Sequence, residues 1–477
     1  MAQDNRQLKP AICVIGAGPG GLSIAAAATA FDVNPVLIEK GRIGGENLHR
    51  GSVPAQALIV AAEHANFART NSRFGVKTGR FAVDLAAVKA HVRDAIGAIA
   101  PGASRERIAG LGVNVIAGAA RFRDRRTVTV GDYVIQARHF VIATGALPII
   151  PDIPGLLGTP HFTEETVFEL AEIPRHLIVI GAGPIGLELA QAFCRLGSEV
   201  TVLDKATPLA DADPEAAAAV LHALAREGVK FRIGVEIAKV GRALAKLHVV
   251  LTTETGVETL EGSHLLVTAG RRPNLDELDL DAAGVRHGPR GIILDRSLRT
   301  SNKRVYAVGD VAGGPHSTQV AHYHGGLVLR HALFHVPMRV NHEIVPSVTY
   351  TDPELAQVGL LEEQARARAG VIRVLRWPYR ENDRARIAQA ADGHIKVITD
   401  RTGQILGATI VGPQARESIA AWTLAVSQKM NIRAFASLVV PYPSYAEVGK
   451  RAAISYFTHD LTRPRTRRIM GWLRRMR

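Results

Sequence analysis

Two short glycine runs carry the clearest chemistry in this 477-residue chain: GAGPGG at Gly16 to Gly21 and GAGPIG at Gly181 to Gly186, spaced 165 residues apart. In such a run the first glycine (Gly16, Gly181) allows a tight turn, and the second (Gly18, Gly183) lets the backbone approach a pyrophosphate. The third (Gly21, Gly186) lets the following helix pack closely on its strand. An acidic residue lies 18 positions beyond each last glycine, Glu39 in the first copy and Asp204 in the second. There a carboxylate can accept hydrogen bonds from ribose hydroxyls, so the chain is expected to hold two dinucleotides. Asp204 would repel a ribose 2′-phosphate, which favours NADH. Lys205 beside it leaves NADPH open.

Glycine runs bind phosphate only in a strand–turn–helix setting, and both copies have one. The apolar strands AICVI and LIVI precede them, Ala/Leu-rich helices follow, and the second strands PVLIEK and EVTVLDK end on the acidic residues. The expected fold class is therefore α/β, with two Rossmann-like dinucleotide-binding domains. After Met338 the pattern changes to alternating strands and helices without a nucleotide motif, which predicts a separate α+β domain. The expected boundaries are 1–150 with 271–338, 151–270, 339–457 and a basic tail over 458–477.

The composition excludes several other classes. Apolar residues make up 47% and charged residues 21%, the balance of a folded globular protein. No run of 18 uncharged apolar residues occurs, and the N-terminus lacks the apolar core of a signal peptide, so the cytoplasm is the expected compartment. Cys13 and Cys194 are the only cysteines, both expected as small buried residues, so neither a disulfide framework nor a cysteine metal site is available. Of the formal charge of +14, 7 positive charges are arginines in the last 17 residues. That pattern argues against a general nucleic-acid surface and for a tail with its own role. Within residues 463–477, Ile469, Trp472, Leu473 and Met476 fall at i, i+3, i+4 and i+7 among arginines. This is the pattern of a short amphipathic helix lying peripherally on an anionic inner-membrane surface.

From residue 11 to about 457 the sequence resembles the pyridine nucleotide-disulfide oxidoreductase family, which includes lipoamide dehydrogenase, glutathione reductase and mercuric reductase. The resemblance rests on the two glycine motifs with Glu39 and Glu188, on IATGALP at 142–148, on GRRPN and AVGD, and on YTDPELAQVG and GQILGATIVGP. It implies FAD on the first motif with Lys40, Gly45, Thr144, Gly145 and Asp310. It further implies NAD(P)H on the second motif with Glu188 and Gly270, and a homodimer formed through the C-terminal domain.

The family's redox segment has the form G-G-x-C-x-x-x-x-C-x-P-x-K, whereas this chain reads GGENLHRGSVPAQ from Gly44 to Gln56. Asn47 and Ser52 take the cysteine places. Gln56 takes that of a lysine which pairs with the counterpart of Glu188 near the flavin. In the C-terminal domain Tyr442, with Pro443, Ser444 and Glu447 after it, stands where the family has an acid/base histidine. The expected function is an NADH-dependent flavin oxidoreductase that passes electrons directly to a small acceptor such as a quinone. Glu188, Gln56, His49, Ser52, Tyr442 and Glu447 are the candidate catalytic groups. A flavin-bound redox sensor or scaffold with little turnover is the alternative, favoured by loss of the lysine.

Overall fold

The computed structural model describes residues 6–461 other than 80, 244, 245 and 255, together with 474 and 475. It divides into two compact units: Met1–Gly181 with Ala192–Val200 and Glu236–His342, and Ala182–Gln191 with Thr201–Val235 and Glu343–Arg477. The amphipathic pattern at Ile469, Trp472, Leu473 and Met476 lies outside the described residues. No helix among the described residues is long and apolar enough to cross a membrane.

In the first unit the central layer is a parallel five-stranded sheet. Its order is Val305–Ala307, His139–Ile142, Ile12–Ile15, Val36–Glu39, Asn114–Ala117. Strand alternation sorts its side chains into two cores. Ile12 and Val14 pack with Ile24, Ala25 and Val328 from the helices Pro19–Thr29 and Thr318–Phe334. Cys13 and Ile15 face the other way, against Phe122, Val128 and Val130 of a smaller mixed sheet. This explains the continuous apolar run AICVI, because a strand covered on both faces has no polar side to alternate with. The unit also contains the parallel strands Phe162–Thr163, His264–Val267 and His176–Ile180, and a three-stranded antiparallel meander over Glu236–Gly262.

The second unit pairs Glu199–Asp204 in parallel with Lys230–Ile233 through residues Thr201 to Asp204. It also holds an antiparallel five-stranded sheet in the order Ser347–Thr349, Glu354–Gly359, Ile405–Gly412, His394–Asp400, Ile372–Pro378. The helices Ala415–Ser427 and Glu447–Leu461 bury Trp422, Ala452 and Tyr456 against that sheet. The expected C-terminal α+β arrangement is thus borne out, and its sheet is antiparallel. One expectation needs correction: Cys13 is buried, but Cys194 is only half-buried, because its position on the helix Pro184–Leu196 leaves part of its side chain outside the core.

Lys396 is an unexpected feature of the second unit, since it is 2% exposed on a strand that otherwise reads as apolar. Its Nζ lies 2.7 Å from Asp213 Oδ2 and 2.8 Å from Glu215 Oε1. The other oxygen of Asp213 accepts the backbone N–H groups of Glu215 and Ala216, capping the helix Pro214–Glu227. Removing the ammonium would leave the Asp213 carboxylate buried without a counter-charge. Lys396→Ala is therefore expected to destabilise the protein by about 3–5 kcal/mol, the usual cost of breaking a buried ion pair. Urea unfolding measures this, and a loss below about 1 kcal/mol would contradict the account.

Candidate functional site

The two glycine loops share one construction. Gly16 and Gly181 hold φ of +106° and +111°, and a Cβ on either would stand 2.4 Å from a carbonyl oxygen, that of Ala143 or Thr268. Only glycine fits such a position. At Gly18 and Gly183 the reverse holds: a Cβ would meet no atom within 4 Å. Those positions border open space at the start of the helices Pro19–Thr29 and Pro184–Leu196, where a pyrophosphate fits. Gly21 and Gly186 lie in the first turn of those helices.

Glu39 and Asp204 are held in matching ways. One Glu39 oxygen accepts the Ala17 N–H at 2.6 Å and the other the Gly41 N–H at 2.7 Å. Asp204 accepts Ala182 N–H at 2.7 Å and Ala206 N–H at 2.8 Å. Each carboxylate is thereby fixed beside its loop, with lone pairs left for ribose hydroxyls. The residues present therefore fit two dinucleotides.

The remaining groups expected at the flavin site lie on connected segments of the first unit. Gly45 sits against the first loop, and a Cβ on it would come 2.7 Å from Gly18 Cα. The Thr144 hydroxyl donates to Asn274 O at 2.7 Å, and Asn274 N–H donates to Gly145 O at 2.9 Å, so IATGALP and GRRPN form one structure. Gly270 precedes the strand Arg271–Pro273, which pairs with Ala146–Pro148. Lys40 is engaged with Glu277 at 2.8 Å. Asp310 lies in the turn Gly309–Ala312, and burial raises its carboxyl above the usual range despite His316 and Arg271 nearby.

The segment from Gly44 to Gln56 forms a short helix, Gly45–His49, followed by Ser52–Thr70. No thiol lies on it. Asn47 Oδ1 accepts the Thr318 hydroxyl at 2.7 Å, His49 Nε2 donates to Ile43 O at 2.8 Å, and Ser52 opens the second helix with its side chain exposed. Gln56 lies one turn further along, half-buried. The two cysteines lie elsewhere, Cys13 in the core of the first sheet and Cys194 on the helix Pro184–Leu196.

Sequence reasoning missed the residue that organises this segment. Arg271, 9% exposed, contacts Glu46 and reaches Glu164 Oε1 at 2.6 Å and Glu165 Oε1 at 3.0 Å. Burial alone would lower its pKa, but the three carboxylates outweigh that and raise it. Burial also raises Glu46, which Arg271 only partly offsets. The GRRPN motif was the available signal, but nothing in its spacing points to partners 106 to 225 residues away.

In the second unit Glu188 is 9% exposed, and one of its oxygens accepts the Tyr350 N–H at 2.9 Å. Burial pushes its carboxyl up to about 7, with the Tyr350 bond working against that rise. Tyr442 is 72% exposed and its hydroxyl donates to Asp383 Oδ2 at 3.0 Å. That bond raises the phenol above its ordinary value, so Tyr442 is a protonated group at neutral pH. Glu447 begins the helix Glu447–Leu461.

Residues 10–325 match the family model described as pyridine nucleotide-disulphide oxidoreductase, and residues 345–453 match that family's dimerisation domain. Mercuric reductase from Bacillus cereus is 35% identical over 455 residues, covering 94% of this chain and 72% of that protein. Dihydrolipoyl dehydrogenase from Geobacillus stearothermophilus is 33% identical over 450 residues, covering 92% and 94%. Among solved structures, LpdA from Mycobacterium tuberculosis superposes with a TM-score of 0.85 at 28% identity, covering 94% of this chain and 99% of that one. The chain belongs to the pyridine nucleotide-disulphide oxidoreductase family, and is thus a flavin-dependent oxidoreductase that uses FAD and NAD(P)H and carries the family's dimerisation domain.

Proposed function

We propose that this chain passes reducing equivalents from NADH through FAD directly to a small quinone-like acceptor, without a dithiol relay. The observation that carries the reading is the segment 44–56, where Asn47 is bonded to Thr318, Ser52 opens a helix and no thiol is present. A thiolate is the nucleophile in disulfide exchange, and neither an amide nor an unactivated hydroxyl replaces it. When bound, the two cofactors supply hydride donation and acceptance.

Gly16, Gly18, Gly21, Glu39, Lys40, Gly45, Thr144, Gly145 and Asp310 would hold FAD, and Gly181, Gly183, Gly186, Glu188, Asp204 and Gly270 would hold NADH. The corresponding domains are 1–150 with 271–338 for FAD, 151–270 for NADH and 339–457 for the homodimer contact. Ser52 and His49 in the first unit, and Tyr442 with Glu447 in the second, are the polar groups offered to an acceptor oxygen. Tyr442, kept protonated by Asp383, is suited to donate a hydrogen bond and unsuited to act as a base.

Glu188 is the group through which pH enters. Its buried carboxyl is neutral below about 7 and charged above it. A carboxyl whose folded pKa is raised gives stability that is present in acid and lost as pH rises from its unfolded value of 4.5 through about 7. The loss amounts to about 3 kcal/mol. Glu188→Gln removes the charged form. Its stability relative to the parent is therefore expected to improve by up to that amount between pH 5 and pH 8, as read by urea unfolding. An unchanged difference at the two pH values would show that Glu188 stays ionised throughout.

Steady-state kinetics test the acceptor. The FAD-loaded protein is expected to oxidise NADH with a benzoquinone or naphthoquinone and to show no turnover with lipoamide or glutathione disulfide. NADH is expected to exceed NADPH in kcat/KM by at least about tenfold, because Asp204 repels a 2′-phosphate. Turnover of a disulfide, or a preference for NADPH, would overturn these assignments.

A further inference from the structure

The amino ends of the first parallel sheet gather positive charge that no dinucleotide role uses. His139–Ile142 and Val305–Ala307 run in parallel with Phe140 opposite Val305, which sets Arg304 opposite His139, one position beyond Arg138. Arg304 Nη1 donates to Arg138 O at 3.4 Å. Arg299 pairs across to Tyr306 as an isolated bridge, and its guanidinium carbon lies 5.9 Å from the Tyr306 ring centre. Its Nη2 donates to Lys303 O at 2.9 Å. The rings of His139 and His331 flank the same tyrosine at 5.8 and 5.7 Å, and the Tyr306 hydroxyl bonds His331 Nδ1 at 2.8 Å.

This cluster is short of acceptors and of negative charge. Among the described residues none of the guanidiniums of Arg138, Arg299 and Arg304 is paired with a carboxylate. Asp295 lies 4.0 Å from Lys303, and its Oδ1 is already engaged by the backbone N–H groups of Ser297 and Arg299. Arg299 Nε and both ring nitrogens of His139 are buried without a hydrogen-bond partner. The cluster's field is felt at His139, where burial first, and then Arg138, Arg299 and Arg304, hold the imidazole down at about 4. Like charges gathered around one imidazole are costly when no counter-ion joins them, and a guanidinium presents its donors in a fork that matches a tetrahedral oxyanion.

We propose that Arg138, Arg299 and Arg304 form a binding site for a phosphate-type oxyanion at the amino end of the first sheet, opposite the end that carries the first glycine loop. The location separates it from that loop's dinucleotide, because Gly16 follows the carboxyl end of the strand Ile12–Ile15 while Arg138 and Arg304 precede their strands. A soluble phosphate or diphosphate and the headgroup of an anionic lipid share the chemistry the site recognises.

The test uses the full chain loaded with FAD and saturated with NAD⁺, so that both dinucleotide sites are filled, and titrates it with inorganic pyrophosphate by calorimetry at low ionic strength. One saturable site per chain is expected, weakened about tenfold by Arg138→Gln and by Arg304→Gln and less by the corresponding lysine variants, which keep the charge and lose the fork. Both arginines reach solvent, so these variants should fold, and unchanged flavin spectra and NADH reduction confirm it. Equal affinity in the Arg138→Gln/Arg304→Gln double variant, as the arginine-rich C-terminus would give, overturns the assignment, and so does a failure to saturate. Co-sedimentation with phosphatidic acid vesicles against phosphatidylcholine vesicles then identifies the source. Vesicle binding lost in the double variant assigns a lipid headgroup, and pyrophosphate binding without vesicle binding assigns a soluble anion.

Discussion

The N–H of the residue after each first glycine, Ala17 in one loop and Ala182 in the other, donates to the carboxylate that ends the next strand, at 2.6 and 2.7 Å. That bond orders the rest. It sets the loop backbone against the strand end, holds the carboxylate where ribose hydroxyls can meet it, and requires positive φ at Gly16 and Gly181. Segments distant in sequence are fastened around the first loop. Gly44 N–H donates to Ala17 O at 2.9 Å, and the Thr144 to Asn274 bonds lock the segment after the strand His139–Ile142 to GRRPN. A change in the loop geometry would therefore be felt along Gly44 to Gln56.

That segment is also a place of converging charge. Glu46 occupies the same short helix as Asn47 and shares Arg271 with Glu164 and Glu165, so one buried guanidinium serves three carboxylates. Glu164 Oε2 is left buried without a partner. The segment is thus held by charge and by the Asn47 to Thr318 bond, and it brings no sulfur to the site. In the second unit burial raises the Glu188 carboxyl to about 7, against the Tyr350 N–H that bonds it.

The glycine motifs, the α/β class, the family and its cofactors were legible in the sequence because each depends on local spacing: a strand, a turn without Cβ, a helix and an acidic strand end. The C-terminal α+β class was legible from the change in pattern after Met338, whereas the antiparallel order of its sheet was not. What local spacing cannot carry is long-range charge. Arg271, Lys396 and the Arg138, Arg299 and Arg304 cluster each meet residues far away in sequence, and each reads as an ordinary polar position until the strands are paired. The half-exposure of Cys194 was missed because helical periodicity fixes a face only to within a neighbouring position.

The central claim is that electrons leave the flavin without passing through sulfur. Stopped-flow mixing of the FAD-loaded protein with one equivalent of NADH in the absence of oxygen, followed by a second mix with a naphthoquinone, tests it most directly. The account predicts bleaching of the flavin with no long-wavelength thiolate-to-flavin absorption, then reoxidation by the quinone at least as fast as steady-state turnover. A long-wavelength thiolate band, or a reduced flavin that only a disulfide reoxidises, would contradict it.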